Sequence, residues 1–160
     1  MDLSAKVYNN SIPHTLTPAE KVIAMTQKIL VVEDEPHITE ILDYRFKKES
    51  FNASFIGDGT HVLDKTLKLL PSVILLDSLL PGKNGRAILL ELKAHPDLKD
   101  IPVLVCSGRS DATEAASFIA LGASDYITKP YDLDDLIAKI YQYIDQTAQN
   151  TISQNLNTAD

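Results

Sequence analysis

The chain has 160 residues, 44% of them hydrophobic, one cysteine, and a formal charge of −7 from 15 Lys and Arg against 22 Asp and Glu. That length suits one ordinary domain with a core, and no apolar run approaches the roughly 18 residues a membrane span needs, so no membrane contact is expected. An acidic balance with scattered basic residues argues against direct nucleic-acid binding, and Cys106, among Val103, Leu104 and Val105, reads as a buried, inert thiol.

Residues 1–27 form an N-terminal extension that is mostly polar. Within it "TPAE" at 17–20 offers Thr17 as N-cap, Pro18 at the first helical position and Glu20 at the third, which predicts a short helix over about 18–26. So short a helix needs a surface for Val22, Ile23 and Met25, either its own globular part or a second copy in a homodimer. There is no apolar leader core and no small-residue cleavage pattern, so the expected location is the cytoplasm.

From 28 to 144 short apolar segments alternate with amphipathic ones. Strands are predicted at "KILVV" (28–32), "FNASFI" (51–56), "SVILL" (72–76), "IPVLVCS" (101–107) and "SDYIT" (124–128). Helical period links Ile38, Ile41, Leu42 and Phe46, then Leu63, Leu67 and Leu70, then Ile88, Leu89 and Leu92, then Ala112, Ala115, Ala116 and Ile119. A fifth helix carries Leu133, Leu136, Ile137, Ile140 and Ile144, with Asp132 as its cap and Asp135 in a capping-box position. Five βα units in this order imply a doubly wound α/β fold, a parallel sheet covered on both faces. The stretch from Asp145 to Asp160 is polar and is expected to fray after about 146, leaving a disordered tail over 146–160.

In a parallel α/β sheet ligands bind in the crevice at the C-terminal strand ends. Glu33 and Asp34 follow the first strand, Asp77 the third and Lys129 with Pro130 the fifth, while Ser107 ends the fourth. One acid after a strand is ordinarily a helix N-cap, the plain role for Asp34 or Asp77 taken alone. Gathered acids are different, because carboxylates about 4 Å apart repel by roughly 4 kcal/mol per pair at an effective dielectric near 20. A cation must offset that. Lys129 supplies one charge, and a site rich in oxygen and poor in His and Cys suits Mg²⁺. His14, His37, His61 and His95 have no ligand spacing, which disfavours zinc.

Four segments, "KILVVEDEP", "VILLDSLLPGKNG", "IPVLVCSG" and "GASDYITKPYDLDDL", resemble the receiver domain of two-component response regulators in order and spacing. The resemblance covers about 28–145 and implies a flavodoxin-like (βα)5 fold with strand order 2-1-3-4-5. It implies that Asp77 is the phosphorylation site, accepting a phosphoryl group from a phosphohistidine on a sensor histidine kinase or phosphotransfer protein. Glu33, Asp34, Asp77 and the backbone carbonyl of Leu79 would hold Mg²⁺, and Lys129 would contact the phosphoryl oxygens. Ser107 and Tyr126 would be the switch pair, although Tyr126 also reads as a packed strand residue. Gly108 would leave room for the phosphoryl group, and the Lys129–Pro130 bond is expected to be cis.

The chain departs from the family's commonest forms at Glu33, where aspartate is usual, and at Leu80, where methionine is frequent. Leu79 and Arg109 occupy positions that in the family influence phosphoryl lifetime. Output is expected as contact with a downstream protein target through the fourth helix, fifth strand and fifth helix, in a stand-alone regulator that is not a turnover enzyme. Two rival readings are a Mg²⁺-dependent hydrolase of the haloacid dehalogenase type and an unphosphorylated scaffold. The first lacks a general acid at Leu79, and the complete set of Asp34, Asp77, Ser107 and Lys129 argues against the second.

Overall fold

The computed structural model describes residues 17, 18 and 27–157, with Pro18 helical. The rest of the expected 18–26 helix, and nearly all of the 1–27 extension, lies outside the described residues. The strands are β1 (Lys28–Val32), β2 (Asn52–Ile56), β3 (Val73–Asp77), β4 (Val103–Ser107) and β5 (Asp125–Thr128). All pair in parallel, in the order 2-1-3-4-5. The helices are α1 (Pro36–Lys48), α2 (Val62–Leu69), α3 (Gly85–Ala94), α4 (Ala112–Ala120) and α5 (Leu133–Asn157). This is the flavodoxin-like architecture.

Side chains alternate across a strand, so each strand feeds two cores. Ile29, Val31, Leu75, Leu104 and Cys106 meet Leu42 and Phe46 of α1 and Leu136, Ile137, Ile140 and Ile144 of α5. Leu30, Val32, Ile74, Leu76 and Val105 meet Val62 of α2, Ile88, Leu89 and Leu92 of α3, and Phe118 of α4. Every residue of β3 is buried, as its central place requires. Each fully buried Leu, Ile or Phe contributes about 1.5–3 kcal/mol.

The helix starts follow local chemistry. Pro36 opens α1 at a position where an N–H would be unpaired anyway. Asn84 accepts from the Ala87 amide at 2.9 Å, Asp111 from Thr113 at 2.8 Å, and Asp132 from Asp134 and Asp135 at 2.8 and 3.0 Å. Burial departs from the expected stripe in three helices. In α4 the buried residue is Phe118, while Ile119 is 46% exposed. In α2 Val62 and Thr66 are buried, Leu63 and Leu67 pack only partly, and Leu70 ends the helix in the left-handed region at φ 47°. Ile41 of α1, also placed in the expected core stripe, is exposed. Helical period cannot say which edge of an apolar stripe meets the sheet.

The fifth helix does not end near 146 but continues to Asn157. No Gly or Pro interrupts residues 133–157, and adding a residue to an existing helix is far easier than nucleating one. The hydroxyls of Thr147, Thr151 and Ser153 also donate back to the carbonyls four residues earlier. Among the described residues no helix is long and apolar enough to cross a membrane.

One glycine is a matter of space. A Cβ on Gly85 would lie 2.8 Å from the Asp77 carbonyl oxygen and 2.9 Å from Ser78 Cα. Gly85→Ala is therefore expected to destabilise by about 1–3 kcal/mol, as overpacking does, and to do so through the strand end beside Asp77. Urea titration checks this, and an unchanged midpoint would show that the β3–α3 junction yields without cost.

Candidate functional site

Register decides which residues share the rim. Val32 pairs with Leu76, Asp77 with Cys106 and Ser107 with Thr128, so the strands end nearly flush and their following residues converge. Glu33 and Asp77 are buried and Asp34 is exposed, and one carboxylate oxygen from each lies within 4.8 Å of the others. Lys129 enters from the end of β5, its Nζ donating to Glu33 Oε2 at 2.6 Å and to Asp77 Oδ2 at 3.2 Å. The second oxygens are also engaged: Glu33 Oε1 accepts from the Glu35 amide at 3.1 Å, and Asp77 Oδ1 from the Leu79 amide at 3.0 Å. The plain capping role fails for both aspartates, since α1 begins after Glu35 without a side-chain cap and α3 is capped by Asn84.

Burial pushes the Glu33 carboxyl above its ordinary range, against the opposing pull of the Lys129 and Glu35 hydrogen bonds. Burial also works to lower the Lys129 ammonium, but the bond to Glu33 and the charge of Asp77 outweigh it and leave the lysine raised. The two groups are bonded partners, and the same lysine also serves Asp77. Beneath them Cys106 is fully buried and its thiol is pushed up to about 12, chiefly by burial, which makes it inert at neutral pH.

The switch candidates form a second cluster on the same rim. Ser107 is 1% exposed, and its Oγ accepts from the Arg109 amide at 3.2 Å. Tyr126 packs its ring on Phe118 with centroids 5.8 Å apart, and its hydroxyl donates to the Arg109 carbonyl at 2.8 Å. The side chain is thus both packed and bonded. Space beside Gly108 is open, since an added Cβ there would meet nothing within 4 Å. The Lys129–Pro130 bond is cis, and the Lys129 amide donates to the Ser107 carbonyl at 2.7 Å, tying the two ends of the cluster together. Leu79 is 69% exposed at the mouth.

The direct Glu33–Lys129 pair was not anticipated. Its signal was present in the replacement of aspartate by glutamate, because the extra methylene is reach. The brace behind the site was also missed: the Gly59 amide donates to the Pro81 carbonyl at 3.0 Å, joining the 3₁₀ turn at Gly59–His61 to the loop that follows Asp77.

Chemically, a buried carboxylate beside two further acids and a lysine, on rigid strand ends, offers a nucleophile, an oxygen-rich seat for a hard divalent cation, and a positive group for an incoming anion. The chain is similar to known proteins. The response regulator receiver domain family matches residues 29–141. The chain is 34% identical over 116 residues to the DNA-binding response regulator MtrA of Mycolicibacterium smegmatis, covering 72% of this chain and 50% of that protein. It thus spans about half the length of the curated relatives it matches. Among solved structures, the Mn²⁺-bound response regulator Rcp1 aligns with a TM-score of 0.62 at 29% identity over 71% of this chain and 88% of that one. The phosphorylated cyanobacterial phytochrome response regulator RcpA aligns with a TM-score of 0.62 at 28% identity over the same shares, 71% and 88%. Such domains are signalling modules rather than turnover enzymes, and they bind Mg²⁺ at an acidic site like the one formed here by Glu33, Asp34 and Asp77. The chain belongs to the response regulator receiver domain family.

Proposed function

We propose that Asp77 accepts a phosphoryl group from a phosphohistidine on a sensor histidine kinase or phosphotransfer protein in the cytoplasm. The observation that carries this is the shared hold of Lys129 on Glu33 and Asp77 within the three-acid cluster. A carboxylate oxygen of Asp77 attacks phosphorus, the P–N bond breaks, and its electron pair leaves on the imidazole nitrogen. Glu33, Asp34, Asp77 and the carbonyl of Leu79 would hold Mg²⁺, whose charge when bound neutralises the phosphoryl oxygens.

Lys129 already donates to Asp77 Oδ2, so a short shift of its Nζ follows the new negative charge onto a phosphoryl oxygen. Ser107 accepts from the Arg109 amide, which leaves its own O–H to donate to another. Moving Ser107 draws on the loop that holds the Tyr126 hydroxyl, and the surface of α4, β5 and α5 is thereby biased between two states. That surface meets a downstream protein target, and the output is contact rather than direct nucleic-acid binding by these residues.

The test is mass spectrometry after incubation with a small acyl phosphodonor and Mg²⁺. One added phosphoryl mass, mapped to the peptide containing Asp77 and prevented by a chelator, is the expected result. No gain, or a label elsewhere, would overturn the assignment.

A further inference from the structure

The N-terminal extension and the end of α5 meet the sheet at the same edge. Gln27 fixes where the extension enters: its carbonyl accepts from the Asn52 amide at 3.1 Å and its Oε1 from Ser72 Oγ at 2.5 Å, between the starts of β2 and β3. The helix α5 comes down to that edge from the rim. Tyr141 packs its ring on Phe51 with centroids 5.0 Å apart, and Tyr143 donates to the Ser124 carbonyl at 2.8 Å. Phe51 and Ser124 immediately precede β2 and β5. Ile140 and Ile144 share a core with Val73, the residue after Ser72. By Ile144, then, α5 has reached the N-terminal edge beside the strand start that holds Gln27, and residues 145–157 run on for about 20 Å.

That last stretch is suited to an apolar neighbour. From Gln146 to Asn157 the chain carries no charged residue. Thr147 and Thr151 continue the face of Ile140 and Ile144 at helical spacing, with Ala148 beside them. Both threonine hydroxyls are spent on the helix's own backbone, at the Tyr143 and Thr147 carbonyls, so what they offer outward is a methyl group. Thr147 is half-buried, while Ala148 and Thr151 are exposed. Small, uncharged side chains in a row let a second helix approach closely.

We propose that the segment over about 18–26 docks along residues 145–157 of α5 as an antiparallel helix, with Val22, Ile23 and Met25 against Thr147, Ala148 and Thr151. Its sequence asks for such a surface, because at helical spacing Val22, Ile23 and Met25 share one stripe and Glu20 faces away from it. Its position supplies one. Pro18, at its start, is helical, and only Gln27 separates its end from the sheet. A helix of that length spans about 14 Å, so it stays close to the edge where α5 emerges. The segment runs toward the edge and α5 runs away from it, which sets the antiparallel sense. A tether of one residue gives the chain's own helix a high effective concentration, and this favours it over the same helix of a second copy. The contact lies at the end of the strands opposite Asp77 and needs no phosphoryl chemistry.

The experiment is peptide-resolved amide hydrogen exchange on the full chain at several protein concentrations, with sedimentation to give its mass. In the parent, amides of 18–26 and of 146–157 should both be protected, to the same degree at every concentration. Val22→Asp combined with Ile23→Asp should speed exchange over 146–157 by about tenfold and leave β1 and β3 unchanged. The reciprocal variant is Thr151→Glu, which places a charge on the contact although glutamate is the better helix former. Exchange that quickens over 18–26 in that variant therefore does not come from a weakened α5. Unprotected amides over 146–157 in the parent, no change there in the Val22 and Ile23 variant, or no change over 18–26 in Thr151→Glu would each overturn the pairing. Protection that falls on dilution together with the mass of a dimer would overturn it in favour of a second copy.

Discussion

Asp77→Asn is expected to gain no phosphoryl mass under conditions that label the parent chain, and to be more stable than the parent in metal-free buffer by about 1 kcal/mol. The amide has no anionic oxygen to attack phosphorus, yet its carbonyl can still accept the Leu79 N–H that Asp77 Oδ1 accepts now, so the turn after β3 survives. The gain in stability follows from counting charges. Lys129 is one cation among three acids whose oxygens lie within 4.8 Å of one another. Removing the negative charge of Asp77 loses one attraction, at 3.2 Å, and two repulsions, and it leaves Glu33 in sole possession of the lysine. Thermal melting of both proteins with and without Mg²⁺ checks this. The parent should rise more than the variant when Mg²⁺ is added, and a variant that melts lower than the parent without metal would show that the lysine contact outweighs the repulsions.

Lys129→Met should have the largest effect on stability, a loss of about 3 kcal/mol at pH 8 without metal, because it strips the cation from buried acids and leaves them uncompensated. Methionine keeps the length and most of the packing of the lysine stem, so the loss is electrostatic. Its pH dependence has a definite sign. The Glu33 carboxyl is raised above its ordinary 4.5, so the folded state binds its proton more tightly than the unfolded chain does. Its contribution is full below 4.5 and fades as pH rises through the raised value. Taking away Lys129 removes a hydrogen bond that opposes the rise, and the window of fading stability moves further towards neutrality. The variant should thus recover most of its deficit near pH 5 and also on adding Mg²⁺. The parent has a second window, since Lys129 is raised above 10.5 and its stabilisation, complete below that pH, is lost only as alkaline pH passes the raised value. Urea titrations at pH 5 and 8 decide the matter. A deficit equal at both would show that the loss is not linked to the ionisation of the buried acids.

What could be read beforehand was whatever depends on local pattern. Continuous apolar runs such as Val73–Leu76 mark buried strands, and one residue beyond them lies the rim where Glu33, Asp77, Ser107 and Lys129 meet. Phase and reach were harder. Phe118 rather than Ile119 joins the core, and which edge of an apolar stripe is covered depends on neighbouring elements that no single segment encodes. The Glu33–Lys129 and Arg109–Glu114 pairs depend on how far long side chains extend across gaps that only the assembled rim defines. Polar composition suggested an early end to α5, whereas continuity of backbone bonding carried it on.

That continuation makes α5 a lever. Among the described residues its buried apolar contacts with the sheet end at Ile144, while the helix runs on to Asn157. At 1.5 Å per residue the stretch beyond Ile144 is about 20 Å long, so a rigid tilt of about 10° would sweep its tip through about 3.5 Å. The docked part is tied to β5 by Tyr143, whose hydroxyl donates to the Ser124 carbonyl at 2.8 Å, and by the ion pair of Lys139 with Asp125. Both anchors immediately precede Tyr126. A small tilt imposed at that end of β5 would therefore reach the far end of the helix enlarged by length alone, provided the helix moves as one rigid rod.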